Sequence, residues 1–170
     1  MASEVPRPVT VSRRIAAPAD VVFAVLSDPS RHTEIDGTDM LRGAASEGLI
    51  SGVGDVFIMK MSFSRLGDYE MNNHVVEFEQ GRRIGWEPAP GKGHPADGKP
   101  GSGHRWSYEL VPDGPDAVVV TEIFDCSRAP EALRVAIDNG NQWVSGMTAT
   151  LARLDMACAE GSASATAGAS

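Results

Sequence analysis

Hydrophobic and polar residues alternate along Val9-Thr-Val-Ser-Arg-Arg-Ile15, the pattern of a strand with one face buried. The period then changes. Pro18 and Asp20 open a segment in which Val21, Val22, Val25 and Leu26 fall on one helical face, and Pro29 closes it, because proline disfavours helical geometry in the residue before it. Residues 30–35 suit a second short helical turn, and Asp36-Gly37 a sharp turn. Weak alternation from Met40 to Ala45 suggests a strand. Asp55 to Phe63 forms a stronger one, with Phe57, Met59, Met61 and Phe63 sharing a face. On the next, Tyr69 to Glu79, counting back from Phe78 puts Val76, His74 and Asn72 on the same face. Arg83 to Glu87 is a short strand carrying Trp86.

Residues 88–103 contain four prolines and five glycines, and predict a long loop suited to a mobile flap. His104 to Val111 alternates, with His104, Trp106, Tyr108 and Leu110 on one side. Pro112-Asp-Gly-Pro115 turns the chain into a last strand, Ala117 to Asp125. Beyond Pro130 the period is helical, with an interruption at Asn139-Gly140-Asn141. Trp143, Met147, Leu151, Leu154 and Cys158 then form one continuous apolar stripe.

This order predicts an α+β fold: a curved antiparallel sheet of about six to seven strands around a long C-terminal helix, with two short helices after the first strand. The final helix is the only long element able to cover the sheet. A strongly curved sheet wrapped around one helix leaves room for a pocket between them. The domain is expected over 8–159, after a flexible leader at 1–7. The tail at 160–170, ending GSASATAGAS, is too poor in large apolar groups to order itself.

Composition excludes more than it selects. The 170 residues carry a net charge of −8, and the basic residues are scattered. A nucleic-acid partner needs a basic footprint, so none is expected. No apolar run approaches the roughly 20 residues that span a bilayer, and the N-terminus lacks an apolar signal core, so membrane insertion is not expected and the location is read as cytoplasmic. Cys126 and Cys158 read as packed, reduced thiols. Monomer and homodimer both remain open.

Several stretches together carry a resemblance: Arg14-Ile-Ala-Ala-Pro-Ala-Asp-Val-Val-Phe23 with Asp28-Pro29; His74-Val-Val-Glu-Phe78 with Arg83-Ile-Gly-Trp86-Glu-Pro88; Trp106-Ser-Tyr-Glu-Leu110; Val120-Thr-Glu-Ile-Phe-Asp125; and Leu151-Ala-Arg-Leu154. Over roughly residues 8 to 158 the chain resembles the START-like helix-grip superfamily (SRPBCC). Within it, the chain is similar to the bacterial polyketide cyclase/dehydrase and lipid-transport-like proteins. The resemblance implies an elongated apolar cavity for a hydrophobic or amphipathic small molecule and no cofactor. These motifs are mostly packing positions, so they specify fold better than activity.

Candidate chemistry follows from strand parity. A histidine facing an apolar cavity is desolvated and neutral at pH 7, and can accept a proton or anchor a ligand. His74, Tyr108 and Glu122 are the candidate catalytic set. Glu122 stays ambiguous, since Val118, Val120 and Phe124 share its face while Val119 and Ile123 make the other face apolar too. Met59, Met61, Asn72, Trp86, His104, Trp106, Trp143 and Met147 are the candidate binding residues. His32, Glu34, Asp36 and Asp39 lack the converging spacing of a metal site, so no metal is expected. The resembled fold puts that segment, with His32 and Asp36, at the pocket rim. The glycines and lysines of 91–101 lack the strand–loop–helix setting of a phosphate loop.

Three functions compete. One is an enzyme of polyketide cyclase type, which folds a reactive chain and assists enolisation with one base and a few polar groups. Another is a non-catalytic carrier or sensor of a hydrophobic metabolite. The third is a protein-interaction module like the superfamily's chaperone activators, which predicts a filled interior and an exposed apolar patch.

Overall fold

A computed structural model describes residues 4–167, with side chains described through Glu160. Seven strands form one antiparallel sheet: β1 (Val9–Ile15), β2 (Leu41–Ala44), β3 (Val56–Phe63), β4 (Gly67–Glu79), β5 (Arg83–Pro90), β6 (Arg105–Pro112) and β7 (Val118–Asp125). Their order is β1-β7-β6-β5-β4-β3-β2, so every neighbour except the β1–β7 pair is joined by a sequential connection. The helices α1 (Ala19–Leu26) and α2 (His32–Ile35) follow β1, and α3 (Glu131–Ala136) and α4 (Val144–Ala167) close the chain. This is the expected α+β helix-grip arrangement, with a curved sheet and a long C-terminal helix.

The local causes match the sequence. Pro18 caps α1, Asp20 lies in its first turn, and Ser27 ends it with its hydroxyl donating to the Phe23 carbonyl at 2.9 Å. The buried side of α1 is Val22, Phe23, Val25 and Leu26. Met147, Leu151, Leu154 and Cys158 are buried along α4, and Leu151, Leu154 and Cys158 pack into the same core as α1, Ile15, Val118 and Val120.

Three features differ from the expectations. The strand β5 runs on to Pro90, because Asn73 pairs with Pro88 and Met71 with Pro90 on the β4 side, whereas β6 pairs with β5 only as far as Trp86. The prolines therefore sit where the β6-side edge of β5 has no strand to serve. The loop is thus shorter than predicted, and its start stays tied to β4 through the Glu70 amide donating to the Lys92 carbonyl at 2.8 Å. In addition, α4 continues to Ala167, past the expected boundary at 160. Alanine, the strongest helix former, recurs through that stretch. The expected flexible leader and disordered tail extend onto residues 1–3 and 168–170, which lie outside the described residues.

The third difference decides the site. A bulge interrupts β4: Val75 pairs with Trp86, but Glu77 pairs with Gly85, leaving Val76 as the extra residue. An extra residue reverses which side chains face inward. Phe78 faces the core and meets Phe23 edge-on at 5.6 Å. Before the bulge, the buried positions are Tyr69, Asn73 and Val75. His74 is exposed on the opposite face, and Asn72 shares that parity.

Candidate functional site

Between the sheet and α4 lies a cavity of about 320 Å³. It exists because α4 packs on β1, α1 and α2, at one end of the sheet, and so stands off the middle strands. One anchor of α4 is the turn after α2. Asp36 holds it by accepting from the Thr38 amide at 2.9 Å, the Thr38 hydroxyl at 2.6 Å and the Leu41 amide at 2.9 Å. Gly37 then meets α4 backbone to backbone. A Cβ on Gly37 would collide with the Gly146 carbonyl and lie 2.6 Å from the Thr150 nitrogen. The amide of Gly37 donates to Thr150 Oγ1 at 3.0 Å.

Aromatic and methionine side chains make up much of the wall, including Phe57, Met59, Met61, Trp86, Trp106, Phe124, Trp143 and Met147. All three tryptophans of the chain line it. Trp106 packs on Phe124 at 4.5 Å and on Trp143 at 5.9 Å between ring centroids.

The polar centre is a pair on adjacent strands. Tyr108 on β6 and Glu122 on β7 are register partners, and the tyrosine hydroxyl donates to Glu122 Oε1 at 3.0 Å. Glu122 is only 3 % exposed, which settles the ambiguity of its strand in favour of the inward direction. Burial pushes its pKa up to about 8, against the smaller opposing effect of the tyrosine hydrogen bond. The carboxyl is therefore mostly protonated at pH 7. Because Oε1 already accepts from Tyr108, the proton belongs on Oε2. That oxygen is buried and has no partner among the described residues; the indole Nε1 of Trp143 is in the same position. Burial and the neighbouring Glu122 charge raise the Tyr108 pKa well above its ordinary value.

Three histidines complete the lining. His32, expected at the rim, is a correction: it is 5 % exposed and interior. Its ring stacks on Trp86 at 5.4 Å and meets Phe57 edge-on at 5.5 Å. A carbonyl can only accept, so Nε2–H of His32 donates to the Leu26 carbonyl at 2.8 Å and Nδ1 keeps the lone pair. Burial lowers its pKa, partly offset by that hydrogen bond. His104, beside Phe124 and bonded through Nδ1 to Ser102, is also lowered by burial. His94 meets Tyr69 edge-on at 5.3 Å.

The structure thus brings Met59, Met61, Trp86, His104, Trp106, Tyr108, Glu122, Trp143 and Met147 to one cavity, with His32 and Asp36 also in its lining. His74 and Asn72 are not in the lining. The bulge at Val76 puts Asn73 there in their place, its amide donating to the Phe57 and Met71 carbonyls at 3.3 Å. Tyr69, Met71, Leu133 and Ile137 also line the cavity and were not singled out in the sequence. Alternation counted forward from Tyr69 finds the first two. Among the described residues no group of three or more His, Cys, Asp or Glu side chains converges on a metal-sized point. No helix among them is long and apolar enough to cross a membrane.

Comparisons with known proteins agree with this geometry. Residues 7–158 match the family model described as polyketide cyclase / dehydrase and lipid transport. An uncharacterized protein of Mycobacterium tuberculosis, Rv0088, is 32 % identical over 168 residues, covering 93 % of this chain and 67 % of that one. Among solved structures, protein NE0264 from Nitrosomonas europaea superposes with a TM-score of 0.68 at 14 % identity, over 92 % of this chain and 96 % of that one. A norcoclaurine synthase point mutant of Thalictrum flavum, in complex with a transition-state analogue, gives 0.60 at 16 %, over 95 % and 99 %.

Proposed function

The chain belongs to the polyketide cyclase / dehydrase and lipid transport family, and from that premise we propose that it binds an apolar, conjugated carbonyl compound and assists its enolisation. A single observation carries the reading. A carboxyl group buried in an aromatic cavity keeps one oxygen with no partner among the described residues, and burial, which raises its pKa to about 8, favours the protonated form there. Leaving such a group unsatisfied costs about 1–3 kcal/mol, which a ligand oxygen recovers. A carbonyl there accepts from Glu122, while the Tyr108 hydroxyl orients the acid. As the carbonyl becomes an enol, Glu122 gives its proton to the oxygen while a solvent water takes the α-proton, and the carboxylate regains a proton from solvent; the negative charge that grows on the oxygen meets a donor already in place. A pKa of about 8 suits a group that gives and retakes a proton near neutral pH.

The surrounding walls supply binding. A cavity of about 320 Å³ sits at the lower end of the range of small-molecule sites, enough for a two- or three-ring compound. The synthase that shares this fold, held with a transition-state analogue, is consistent with an enzymatic use of such a cavity. A protein-interaction role is less well supported, because that reading predicts a filled interior. The carrier reading retains one point in its favour: the Asp36 carboxylate is fully engaged in its turn, which leaves Glu122 as the one carboxyl available to chemistry. A cytoplasmic monomer or homodimer remains our expectation.

Exchange of the methyl protons of 2-acetylnaphthalene in D₂O tests this. The wild-type protein binds the ketone and accelerates exchange. Glu122→Gln retains binding within about threefold and loses the acceleration. Binding without any accelerated exchange would overturn the enzymatic reading and leave the carrier. Met61→Trp, which fills the cavity from a half-buried position, abolishes both.

A further inference from the structure

The cavity wall has a second unsatisfied polar atom besides Glu122 Oε2. The Trp143 indole N–H is buried without a partner among the described residues. Its ring packs on Trp106 and Phe124, at centroid distances of 5.9 and 6.3 Å. Trp106 and Phe124 are register partners, one inward-facing rung along from Tyr108 and Glu122 on the same two strands. One such rung is about 6.6–6.8 Å. The two lone polar atoms therefore belong to neighbouring rungs of the wall: Trp143 packs on the Trp106–Phe124 rung, and Glu122 lies in the next.

The wall is also poor in positive charge. Among the described residues no lysine or arginine lines the cavity. Both Asp36 oxygens are engaged by Thr38 and Leu41, and the remaining carboxyl is Glu122. An anionic ligand placed here would have no cation to meet and a carboxyl group nearby, and burying an unpaired charge is far more costly than burying a hydrogen-bonded neutral oxygen. Among the three lining histidines, burial disfavours the charged form of His32 and His104, and His94 accepts the Ala96 amide at Nδ1, an atom that a charged ring would have protonated, so none supplies a ready cation.

Resting on the binding reading above, we infer that the ligand is an uncharged, flat, two-ended molecule. One carbonyl oxygen meets Glu122, and a second neutral oxygen, phenol or ketone, accepts from the Trp143 N–H one rung away. Carboxylates, phosphates and free fatty acids are excluded by the same wall that welcomes the neutral compound. Trp143 is then a specificity residue, reading an oxygen the reaction does not touch.

Calorimetric titration at pH 7 with three naphthalene probes tests the inference. They are 2-acetylnaphthalene (one oxygen), 6-hydroxy-2-acetylnaphthalene (neutral, two-ended) and 6-hydroxy-2-naphthoate (an anion on the same skeleton). The two-ended ketone binds tightest, and the naphthoate at least roughly tenfold more weakly. Trp143→Phe keeps a ring on Phe124 but removes the donor. It weakens the two-ended ketone by about tenfold, the scale of one lost hydrogen bond, and 2-acetylnaphthalene by less than about twofold. Naphthoate binding as tightly as the hydroxyketone, or equal losses for both ketones in the Trp143 variant, overturns this inference alone. Failure of all three probes to bind overturns it together with the binding reading.

Discussion

The Tyr108 hydroxyl donates to Glu122 Oε1 at 3.0 Å across two adjacent strands, and in doing so leaves the other carboxyl oxygen as the place for a proton. The pair is the chemical centre of an otherwise greasy interior, and its energetics give the first two predictions.

Between the ordinary carboxyl value of 4.5 and about 8, the folded protein holds a proton on Glu122 that the unfolded chain has released. Stability contributed by that proton is complete below 4.5 and is lost as pH rises through about 8, at up to about 1.4 kcal/mol per pH unit. His32 and His104 act in the opposite direction, mainly below about pH 7, since the unfolded imidazoles are half-protonated at 6.5. The difference in thermal unfolding between wild type and Glu122→Gln from about pH 7 to 8.5 therefore isolates the carboxyl. The wild-type midpoint falls across this window and that of Glu122→Gln stays nearly level. Parallel curves would contradict the assignment.

Tyr108→Phe removes the donor without changing the ring. Glu122 loses the one interaction that favours its charged form, so its pKa rises further. The variant loses about 1–3 kcal/mol of stability, the range for a buried acceptor left unpaired. Carboxyl infrared absorption followed against pH detects the upward shift directly, and an unchanged titration would count against the pair.

Gly37→Ala tests how α4 is held off the sheet. The added methyl meets backbone, which cannot rotate away, so the cost is about 3 kcal/mol or more, at the top of the overpacking range. Gly52→Ala is the control, because a Cβ there has nothing within 4 Å. Chemical denaturation of the two variants gives the comparison; similar midpoints would show that the close approach has no energetic weight.

His74→Ala should be almost silent, within about 0.5 kcal/mol of wild type in stability and unchanged in ligand affinity, as for an exposed site away from special contacts. Asn73→Ala, one residue away, loses amide hydrogen bonds to two carbonyls and costs about 1–3 kcal/mol. The reverse ranking would restore the unbulged reading of β4.

This last contrast shows what the sequence could and could not reveal. Regular alternation placed Trp106 and Tyr108 correctly, and the helical stripe through Met147, Leu151 and Leu154 identified the covering helix. On β4 the same logic failed, because one extra residue at Val76 reverses every side chain on its N-terminal side and carries no local mark. Glu122 was undecidable by parity since both faces of its strand are apolar; its direction comes from the β6 partner that supplies its hydrogen bond. His32 sits among polar neighbours in sequence, and only the tertiary meeting of α2 with Trp86 and Phe57 buries it. Leu133 and Ile137 reach the cavity because the backbone turns at Asp138, Asn139 and Gly140, all at positive φ, between α3 and α4. The sequence showed a break there but not its direction.

The central claim is that an apolar ligand lodges between α4 and the middle of the sheet, against Glu122. The three indole N–H resonances in a ¹⁵N–¹H spectrum test it most directly, because Trp86, Trp106 and Trp143 are the only tryptophans and all line that space. Titration with 2-acetylnaphthalene is predicted to shift all three, together with the Tyr108 and Glu122 backbone amides, while the His74 amide stays still. Saturable binding that leaves the indoles in place, or shifts confined to the outer face of the sheet, would contradict the account.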